Sequence, residues 1–367
     1  MKRTVIALLT IVAVTILTAA HVWLWQSIIF LFAIDSLSVK WVLGVLFGLL
    51  AIGFLPTTYL VHVKENNFTS ALYLGAAVWL GSALYIAIAS AIALVSVWVF
   101  DVDEYRTVIA GIFMTLGLAY AGYGVWNAQF PRLKRITLSA QKFPASWRGR
   151  TIVQLSDVHL GAVHHIRFMR RVVNEVKRAQ PDLIVITGDL YDGVGRELGL
   201  MAQPLAELRP PLGMYYIIGN HETYVGLDRV FDALKDLPMR TLRDEVVEID
   251  GVQLLGADYH LPGHQHDPRP VIDRLDHARP AIVLYHEPVP EIVEHAAEKN
   301  VTLMLCGHTH VGQLWPFSYI TKKMYHRYHY GRSEVKGMTL YTSPGVGTWG
   351  PPLRTGNRPE IVTMTIE

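Results

Sequence analysis

Metal-capable side chains recur through the second half of this sequence, each placed directly after a short apolar run. They form five groups, in the order Asp-x-His, Gly-Asp, Gly-Asn-His-Glu, His and Gly-His-x-His. The seven candidate ligands are Asp157, His159, Asp189, Asn220, His286, His308 and His310. Imidazole, carboxylate and amide ligands in this mixture suit Mn²⁺, Fe²⁺ or Zn²⁺ better than Ca²⁺, which prefers all-oxygen sites. Such a set is large enough for two divalent ions that share one carboxylate.

The five groups differ in how strongly each one indicates a metal site. Asp157 alone serves equally well as the cap of a following helix, and Asp189 alone is a weaker signal still. Asn220 and His221 lack an obvious packing role, and the Gly-His-x-His group places two imidazoles one residue apart. Together and in this order, the groups favour a metal centre over five unrelated structural roles. Because Cys306 is the only cysteine, a cysteine-rich structural zinc site and an intrachain disulfide are both excluded.

The candidate ligands stand between elements that alternate as in an α/β protein. Apolar runs predict strands at residues 151–155, 183–187, 214–218, 281–285 and 301–305, each before a ligand group. Further strands are predicted at 246–249, 252–255, 338–342 and 361–366, and helices at 168–178, 200–208, 225–237 and 289–299. Open α/β sheets hold their sites at the carboxyl ends of strands, so we expect the ligands to meet at one such edge.

The first third of the chain has a different composition. The 367 residues are 51% hydrophobic and 17% charged, yet residues 4–128 contain very few of the charges. We therefore predict a transmembrane region at 1–128, a basic linker with a first strand at 129–150, and a catalytic domain at 151–367. The net charge of +2 is too small to indicate a nucleic-acid partner.

Four apolar stretches reach the length of about 20 residues that a membrane-spanning helix needs. We predict spans at 4–33, 41–62, 72–100 and 107–128. Lysine and arginine residues concentrate at the N-terminus, at Lys64 and between Arg132 and Arg150, which places both termini and the catalytic domain in the cytoplasm. Two alternatives stay open for the first stretch. As a cleaved signal peptide it would be absent from the mature protein, and as a pair of helices it would reverse the side of the catalytic domain.

Residues 150–367 resemble the calcineurin-like metallophosphoesterase superfamily, whose pattern is D-x-H, G-D, G-N-H-[DE], H, G-H-x-H. The runs GHTHVGQ at 307–313 and GTWGPPLR at 347–354 resemble its membrane-associated bacterial branch. Some members of that branch hydrolyse the pyrophosphate of UDP-2,3-diacylglucosamine. The resemblance implies an αββα sandwich of two mixed sheets following the four-helix region. It also implies two divalent ions, for which we prefer Mn²⁺ over Fe²⁺ and Zn²⁺.

The resemblance also implies a division of labour among the candidate ligands. One ion would be bound by Asp157, His159 and His310. The other would be bound by Asn220, His286 and His308. Asp189 would bridge the two ions. His221 would not be a ligand but would stabilise the transition state and protonate the leaving oxygen.

Four further features have weaker support. Arg354 is a candidate for binding a phosphate oxygen of the substrate, the alternative being a solvated arginine in a rigid turn. Glu222 either orients His221 or caps the helix that follows it. Residues 258–267, with His260, His264 and His266, are predicted as a polar loop over the cleft. Residues 319–332 are predicted as a flexible loop, either at the lipid headgroup layer or simply exposed to solvent.

These features together predict a phosphohydrolase anchored in the bacterial inner membrane. We expect it to cleave a phosphoester or diphosphate bond, with the bilayer and an amphiphilic, lipid-linked phosphate substrate as its partners. One alternative is a phosphodiesterase acting on soluble nucleotides or nucleic acid. Another is a non-catalytic membrane scaffold, which the complete ligand set disfavours.

Overall fold

The chain divides into two compact units in a computed structural model that describes residues 3–193, 197–259 and 267–367. The helical unit comprises Met1–Trp126 together with Gly350–Thr355. The two-sheet unit comprises Asn127–Trp349 and Gly356–Glu367. The predicted polar loop containing His260, His264 and His266 lies outside the described residues.

Apolar helices make up the helical unit. They are α1 (Arg3–Leu31), α2 (Leu37–Ile52), α3 (Phe54–Val63), α4 (Asn67–Phe100) and α5 (Arg106–Ala128). Among the described residues, three stretches are long and apolar enough to cross a membrane: Ile11–Leu31, Asn67–Phe100 and Asp103–Ala128. A fourth results only if α2 and α3, which bend by 50° at their junction, count as one span.

The bend between α2 and α3 was not expected, since residues 41–62 were predicted as one continuous span. Its cause lies near the start of α3, where Pro56 has no N–H to donate to the carbonyl of Ile52. His21, in α1, is buried. It accepts a hydrogen bond at Nε2 from Trp79 Nε1 (2.9 Å).

A short segment from the far end of the sequence also belongs to the helical unit. In Gly350–Thr355, the backbone N–H of Arg354 donates to the carbonyl of Gly124 (2.9 Å). The Tyr120 hydroxyl donates to the carbonyl of Thr355 (3.1 Å). The composition of the chain did not indicate that Gly350–Thr355 groups with the helices, because the change in composition near residue 128 placed the whole of 151–367 in one domain.

Two mixed six-stranded sheets form the second unit. The first sheet has the order β1 (Arg132–Leu138), β12 (Glu360–Ile366), β2 (Thr151–Leu155), β3 (Leu183–Thr187), β4 (Met214–Ile217) and β5 (Arg240–Thr241). The second has the order β10 (Gly331–Val335), β11 (Met338–Thr342), β9 (Leu303–Cys306), β8 (Ala281–Leu284), β7 (Val252–Gly256) and β6 (Glu245–Ile249). Strands β2 to β5 run parallel, as do β7, β8, β9 and β11.

Both faces of the central strands are buried, which explains why those strands read as unbroken apolar runs. In β3, Leu183 and Val185 enter the core between the two sheets. Ile184 and Ile186 face the opposite way, into a core shared with α6 (Ile166–Arg178), α7 (Leu198–Ala202) and α9 (Leu227–Leu234). A third core packs α10 (Arg269–Ile272) and α11 (Pro290–Glu298) against the second sheet. The layers therefore follow the order helix, sheet, sheet, helix.

Two local predictions were wrong. The helix predicted at 200–208 ends as an α-helix at Ala202, because Pro204 cannot continue it, and a 3₁₀ turn follows. The flexible loop predicted at 319–332 is instead helix α12 (Ser318–Tyr325), a 3₁₀ turn and strand β10. The apolar residues Phe317, Ile320 and Met324 have helical spacing, but the Ser, Tyr, Thr and Lys residues between them obscured it.

Candidate metal centre

Every candidate ligand follows the carboxyl end of a parallel strand. Asp157 and His159 follow β2, Asp189 follows β3, and Asn220 follows β4 in the first sheet. In the second sheet, His286 follows β8, while His308 and His310 follow β9. The loops of both sheets converge, so the seven side chains come from sequence positions up to 153 residues apart. This convergence is what the positions of the predicted strands indicated.

The ligand loops have unusual backbone conformations. Five ligands have left-handed φ angles between 47° and 69°, namely Asp157, His159, Asp189, His308 and His310. This region is sparsely populated by residues other than glycine, and each such residue costs of the order of 1 kcal/mol. The surrounding fold must therefore hold these turns in place, and they aim their side chains at a common centre.

Two glycines allow the loops to approach each other closely. A Cβ atom on Gly219 would overlap the carboxylate of Asp189, and one on Gly307 would overlap Ser156 and Asp157. These contacts explain why the Gly-Asn-His-Glu and Gly-His-x-His groups open with glycine: a larger residue would separate the loops and spread the ligands.

The first cluster of ligand atoms contains Asp157, His159 and His310, whose ligand atoms all lie within 4.8 Å of one another. Nε2 of His159 is 2.9 Å from Nε2 of His310, and the latter atom is 3.3 Å from Oδ1 of Asp157. The Asp157 carboxylate also accepts the backbone N–H of His308 (3.0 Å). All three side chains are buried.

The second cluster contains Asn220, His286 and His308. Oδ1 of Asn220 is 2.9 Å from Nδ1 of His308 and 3.2 Å from Nε2 of His286. The other nitrogen of His286, Nδ1, donates to the carbonyl of Thr187 (2.7 Å), which fixes the tautomer and leaves the lone pair of Nε2 facing the centre.

Asp189 lies between the two clusters. Its Oδ2 is 3.2 Å from Nε2 of His286 in the second cluster and 3.9 Å from Nε2 of His159 in the first. Its Oδ1 accepts the backbone N–H of His221 (2.9 Å). The position is the one that a bridging carboxylate requires.

The donor set fits divalent metal ions. Two ligands that stand ~2.1 Å from one ion at about a right angle are ~3 Å apart, which matches the separations within both clusters. Ring nitrogens of neighbouring imidazoles face each other across these short distances, and a cation between them could be bound by both. The six outer ligands together with Asp189 could therefore hold two ions.

The electrostatics of the site couple its carboxylates to its imidazoles. Burial would raise the pKa of Asp189, yet the neighbouring imidazoles, His286 foremost, hold it well below its usual range. Burial would lower the pKa of His286, but the Asp189 carboxylate outweighs that effect and raises it to about 10, so a metal ion at Nε2 would displace the proton that Asp189 stabilises there. Burial and the nearby His286 both lower the pKa of His308, which favours the neutral, metal-binding form of its imidazole.

His221 lines the site without joining either outer cluster. Its Nδ1 donates to the backbone carbonyl of Asp192 (2.9 Å), and its ring centroid is 4.5 Å from that of His159. The side chain retains 16% exposure, so a substrate can reach it. Its ligand atom also lies within 4.8 Å of those of His159 and Asp189, which makes metal content a necessary test of its role.

Asp192, for which the sequence analysis predicted no role, contacts two histidines of the site. Its Oδ1 is 3.3 Å from Nδ1 of His159 and 3.6 Å from Nδ1 of His221. A carboxylate behind a metal-binding histidine orients the ring and increases its basicity. The available signal was an acidic residue three positions after Asp189 in the GDLYD run.

We expect Asp192→Asn to lower kcat/KM for a phosphoester by roughly 10- to 100-fold, because the amide keeps the shape but loses the charge that supports both imidazoles. Steady-state hydrolysis, together with metal content by mass spectrometry, measures the effect. Asp228→Asn, at an exposed position in the first turn of α9, serves as the matched control. Equal activity in the two variants would contradict this role for Asp192.

Glu222 holds two ligand loops together. Its buried carboxylate accepts backbone N–H groups from Gly219 (2.7 Å), Asp189 (2.9 Å) and Tyr191 (3.1 Å). The first of these bonds caps the short helix α8 (Asn220–Val225), which was one of the two roles considered for this residue. The other two bonds fix the Asp189 loop to the Asn220 loop.

A cleft of about 490 Å³ opens onto the ligands. One wall carries Asp189, Asn220, His221, His308 and His310. Another part of the lining comes from α12 and its flank, through Phe317, Ile320, Thr321, Met324 and Tyr325. Trp349 and Tyr224 also line the cleft. The site thus combines polar metal-binding groups with an extensive apolar surface.

Arg354 is placed differently from the ligands. Its side chain is fully buried, and its segment belongs to the helical unit. The alternative of a solvated arginine in a rigid turn is therefore wrong. Arg354 is not among the residues that line the described cleft. Its contact with a phosphate oxygen of the substrate therefore stays a prediction.

Comparisons with known proteins agree with this site. Residues 150–312 match the family model of the calcineurin-like phosphoesterases. A metallophosphoesterase of Aquifex aeolicus is 34% identical over 261 residues, which cover 69% of this chain and 98% of that protein. A metallophosphoesterase of Helicobacter pylori is 32% identical, over 66% of this chain and 67% of that protein.

A Danio rerio relative, a transmembrane protein with a metallophosphoesterase domain, is 30% identical over 72% of this chain. The match spans 63% of that relative's length. The family pattern, the metal-ligand clusters and these relatives lead to one conclusion. The chain belongs to the calcineurin-like phosphoesterases and is a metal-dependent hydrolase of phosphoesters.

Proposed function

We propose that the protein is a membrane-anchored phosphohydrolase that cleaves a phosphoester or diphosphate bond of an amphiphilic, lipid-linked substrate. The apolar wall of the cleft carries this proposal. Phe317, Ile320 and Met324 follow each other at helical spacing and line the same cleft as the metal-binding side chains. A small soluble phosphoester would leave this wall in contact with water.

The apolar wall is exposed to an unusual degree. Ile320 is 56% exposed, Met324 is 58% exposed and Trp349 is 51% exposed. Exposed apolar surface that is contiguous with a polar site is typical of ligand-binding grooves. Covering it with hydrocarbon gains about 0.8 kcal/mol per buried methylene group, so a chain of a few carbons would add substantially to binding.

The residues of the site supply a route for hydrolysis. When bound, two divalent ions, Mn²⁺ by preference, supply Lewis acidity at the phosphoryl group and make water a better nucleophile. Asp189, between the clusters, would set the spacing of the two ions. His221, held at Nδ1 by the Asp192 carbonyl, presents Nε2 to protonate the oxygen that leaves phosphorus.

The helical unit would anchor the enzyme in the bacterial inner membrane. Three or four apolar stretches of sufficient length support this part of the proposal. The distribution of lysine and arginine residues favours a cytoplasmic two-sheet unit. The runs at 307–313 and 347–354 favour the membrane-associated bacterial branch, some of whose members hydrolyse the pyrophosphate of UDP-2,3-diacylglucosamine.

Two diesters that differ only in chain length test the substrate class. We expect hexadecyl p-nitrophenyl phosphate, used below its critical micelle concentration, to have at least a 10-fold higher kcat/KM than methyl p-nitrophenyl phosphate. In Ile320→Asp/Met324→Asp this ratio should fall to near one while the rate with the methyl ester is retained, because only the apolar contact is lost.

Leu200→Asp, at an exposed apolar position on α7, serves as the control and should keep the wild-type ratio. If the wild-type enzyme hydrolyses both esters equally well, the substrate is not recognised by its apolar part. In that case a soluble nucleotide or another polar phosphodiester becomes the better candidate.

A further inference from the structure

Helix α12 has a second face, which does not line the cleft. Tyr319, Lys322 and Lys323 share this outer face at helical spacing, on the side opposite Ile320 and Met324. All three residues are exposed, and Tyr319 is 68% exposed.

An exposed tryptophan lies close to this face along the chain. Trp315, just before the helix, is 42% exposed. We refer to Trp315, Tyr319, Lys322 and Lys323 as the outer surface of α12. It therefore combines two large aromatic side chains with two lysines.

The two lysines of the outer surface have no ion-pair partner among residues 3–193, 197–259 and 267–367. Two other lysines of the same unit do form ion pairs, Lys336 with Glu298 (2.7 Å) and Lys299 with Asp273 (2.7 Å). The outer surface of α12 therefore presents two uncompensated positive charges beside its aromatic side chains.

Aromatic and lysine side chains on one helical face are the groups that settle at a bilayer surface. Tyrosine and tryptophan favour the headgroup region, where an apolar ring and a polar tip are both satisfied. Lysines add attraction to anionic lipids and can extend their ammonium groups into the headgroup layer. A polar protein partner would not explain the exposed rings, and an uncharged apolar partner would not explain the lysines.

We propose that the outer surface of α12 binds the headgroup layer of a bilayer containing anionic lipids. Its opposite face forms the apolar wall of the cleft, so one helix would contact lipid on one side and the active site on the other. A lipid-linked phosphoester could then pass along α12 to the metal-binding residues. The inference adds a membrane contact that lies outside the apolar helices, and its test does not depend on hydrolysis.

A single-cysteine label tests the proposal in the full-length protein. Cys306 is the only cysteine and is fully buried, so a cysteine introduced on the surface can be labelled selectively. Tyr319→Cys would carry an environment-sensitive fluorophore, and Leu200→Cys, at an exposed position on α7, would carry the same label as the control. Both proteins are reconstituted in vesicles of phosphatidylcholine with or without phosphatidylglycerol, together with a lipid that carries a quencher near its headgroup.

We expect quenching at position 319 to exceed that at position 200 by at least threefold in vesicles with phosphatidylglycerol. Lys322→Glu/Lys323→Glu should reduce the quenching at 319 by at least half, and omission of the anionic lipid should have the same effect. Circular dichroism and metal content show whether each variant is folded. The proposal is overturned if the two positions are quenched equally, or if neither the lysines nor the anionic lipid change the quenching at 319. A surface for a protein partner would give the first of these two results.

Discussion

Asp189→Asn is expected to lower kcat/KM by roughly 10³-fold or more and to reduce the bound metal to at most one ion per chain. The substitution keeps the size of the side chain but removes the negative charge between the two clusters. That charge lies 3.2 Å from Nε2 of His286 and 3.9 Å from Nε2 of His159. Without this negative charge, nothing between the two cations would offset their mutual repulsion. The six outer ligands alone would have to hold both ions.

Metal analysis of the purified protein and hydrolysis of methyl p-nitrophenyl phosphate measure this effect. Asp232→Asn, at an exposed position on α9, controls for the loss of a carboxylate elsewhere in the chain and should bind metal normally. If Asp189→Asn retained two ions and wild-type activity, the assignment of Asp189 as the bridging ligand would be wrong. A general loss of structure would be visible in the circular dichroism spectrum.

His221→Ala is expected to lower kcat by roughly 10²- to 10⁴-fold while leaving the metal content unchanged. The bond from Nδ1 to the Asp192 carbonyl leaves only Nε2 for chemistry. A proton donated from this nitrogen matters most when the leaving oxygen is strongly basic. The loss should therefore be large for an alkyl phosphoester and much smaller for a p-nitrophenyl ester, whose leaving group departs without protonation.

This dependence on the leaving group separates an acid from a ligand. If His221 bound a metal ion, His221→Ala would lose metal and would slow both kinds of ester alike. His221 lies close enough to His159 and Asp189 to share an ion with them. Metal content and the ratio of the two rates must therefore be measured on the same sample. Equal losses for both esters with full metal content would contradict the role of proton donor.

The positions of the ligands were predictable because the apolar runs that predict the strands end directly before the metal-capable residues. Runs such as 183–187 are apolar without interruption, since both faces of β3 are buried, and the polar residue that follows such a run stands at the edge of the sheet. The boundaries of β2, β3 and β11 coincide with the predicted runs. The family pattern then supplied roles that spacing alone left open.

Other features could not be predicted, because they depend on contacts between distant segments. Asp192 belongs to no separate motif, and only the fold brings its carboxylate near His159 and His221. Helix α12 was hidden because its apolar stripe is interrupted by Tyr, Thr and Lys residues. Most residues of this helix are exposed, so its sequence lacks the continuous apolar face by which a buried helix is recognised.

The sequence by itself determined the chemistry of this protein: which side chains can bind metal, at which strand ends they stand, and that a long apolar region precedes them. These properties are local, because strand periodicity and side-chain type are written in short segments. Only the tertiary structure decided that Asp192 stands behind His159 and His221, that Nε2 of His159 lies 2.9 Å from Nε2 of His310, and that α12 lines the cleft with apolar side chains. Such pairings depend on how two sheets pack, a property of the whole chain that no single segment encodes.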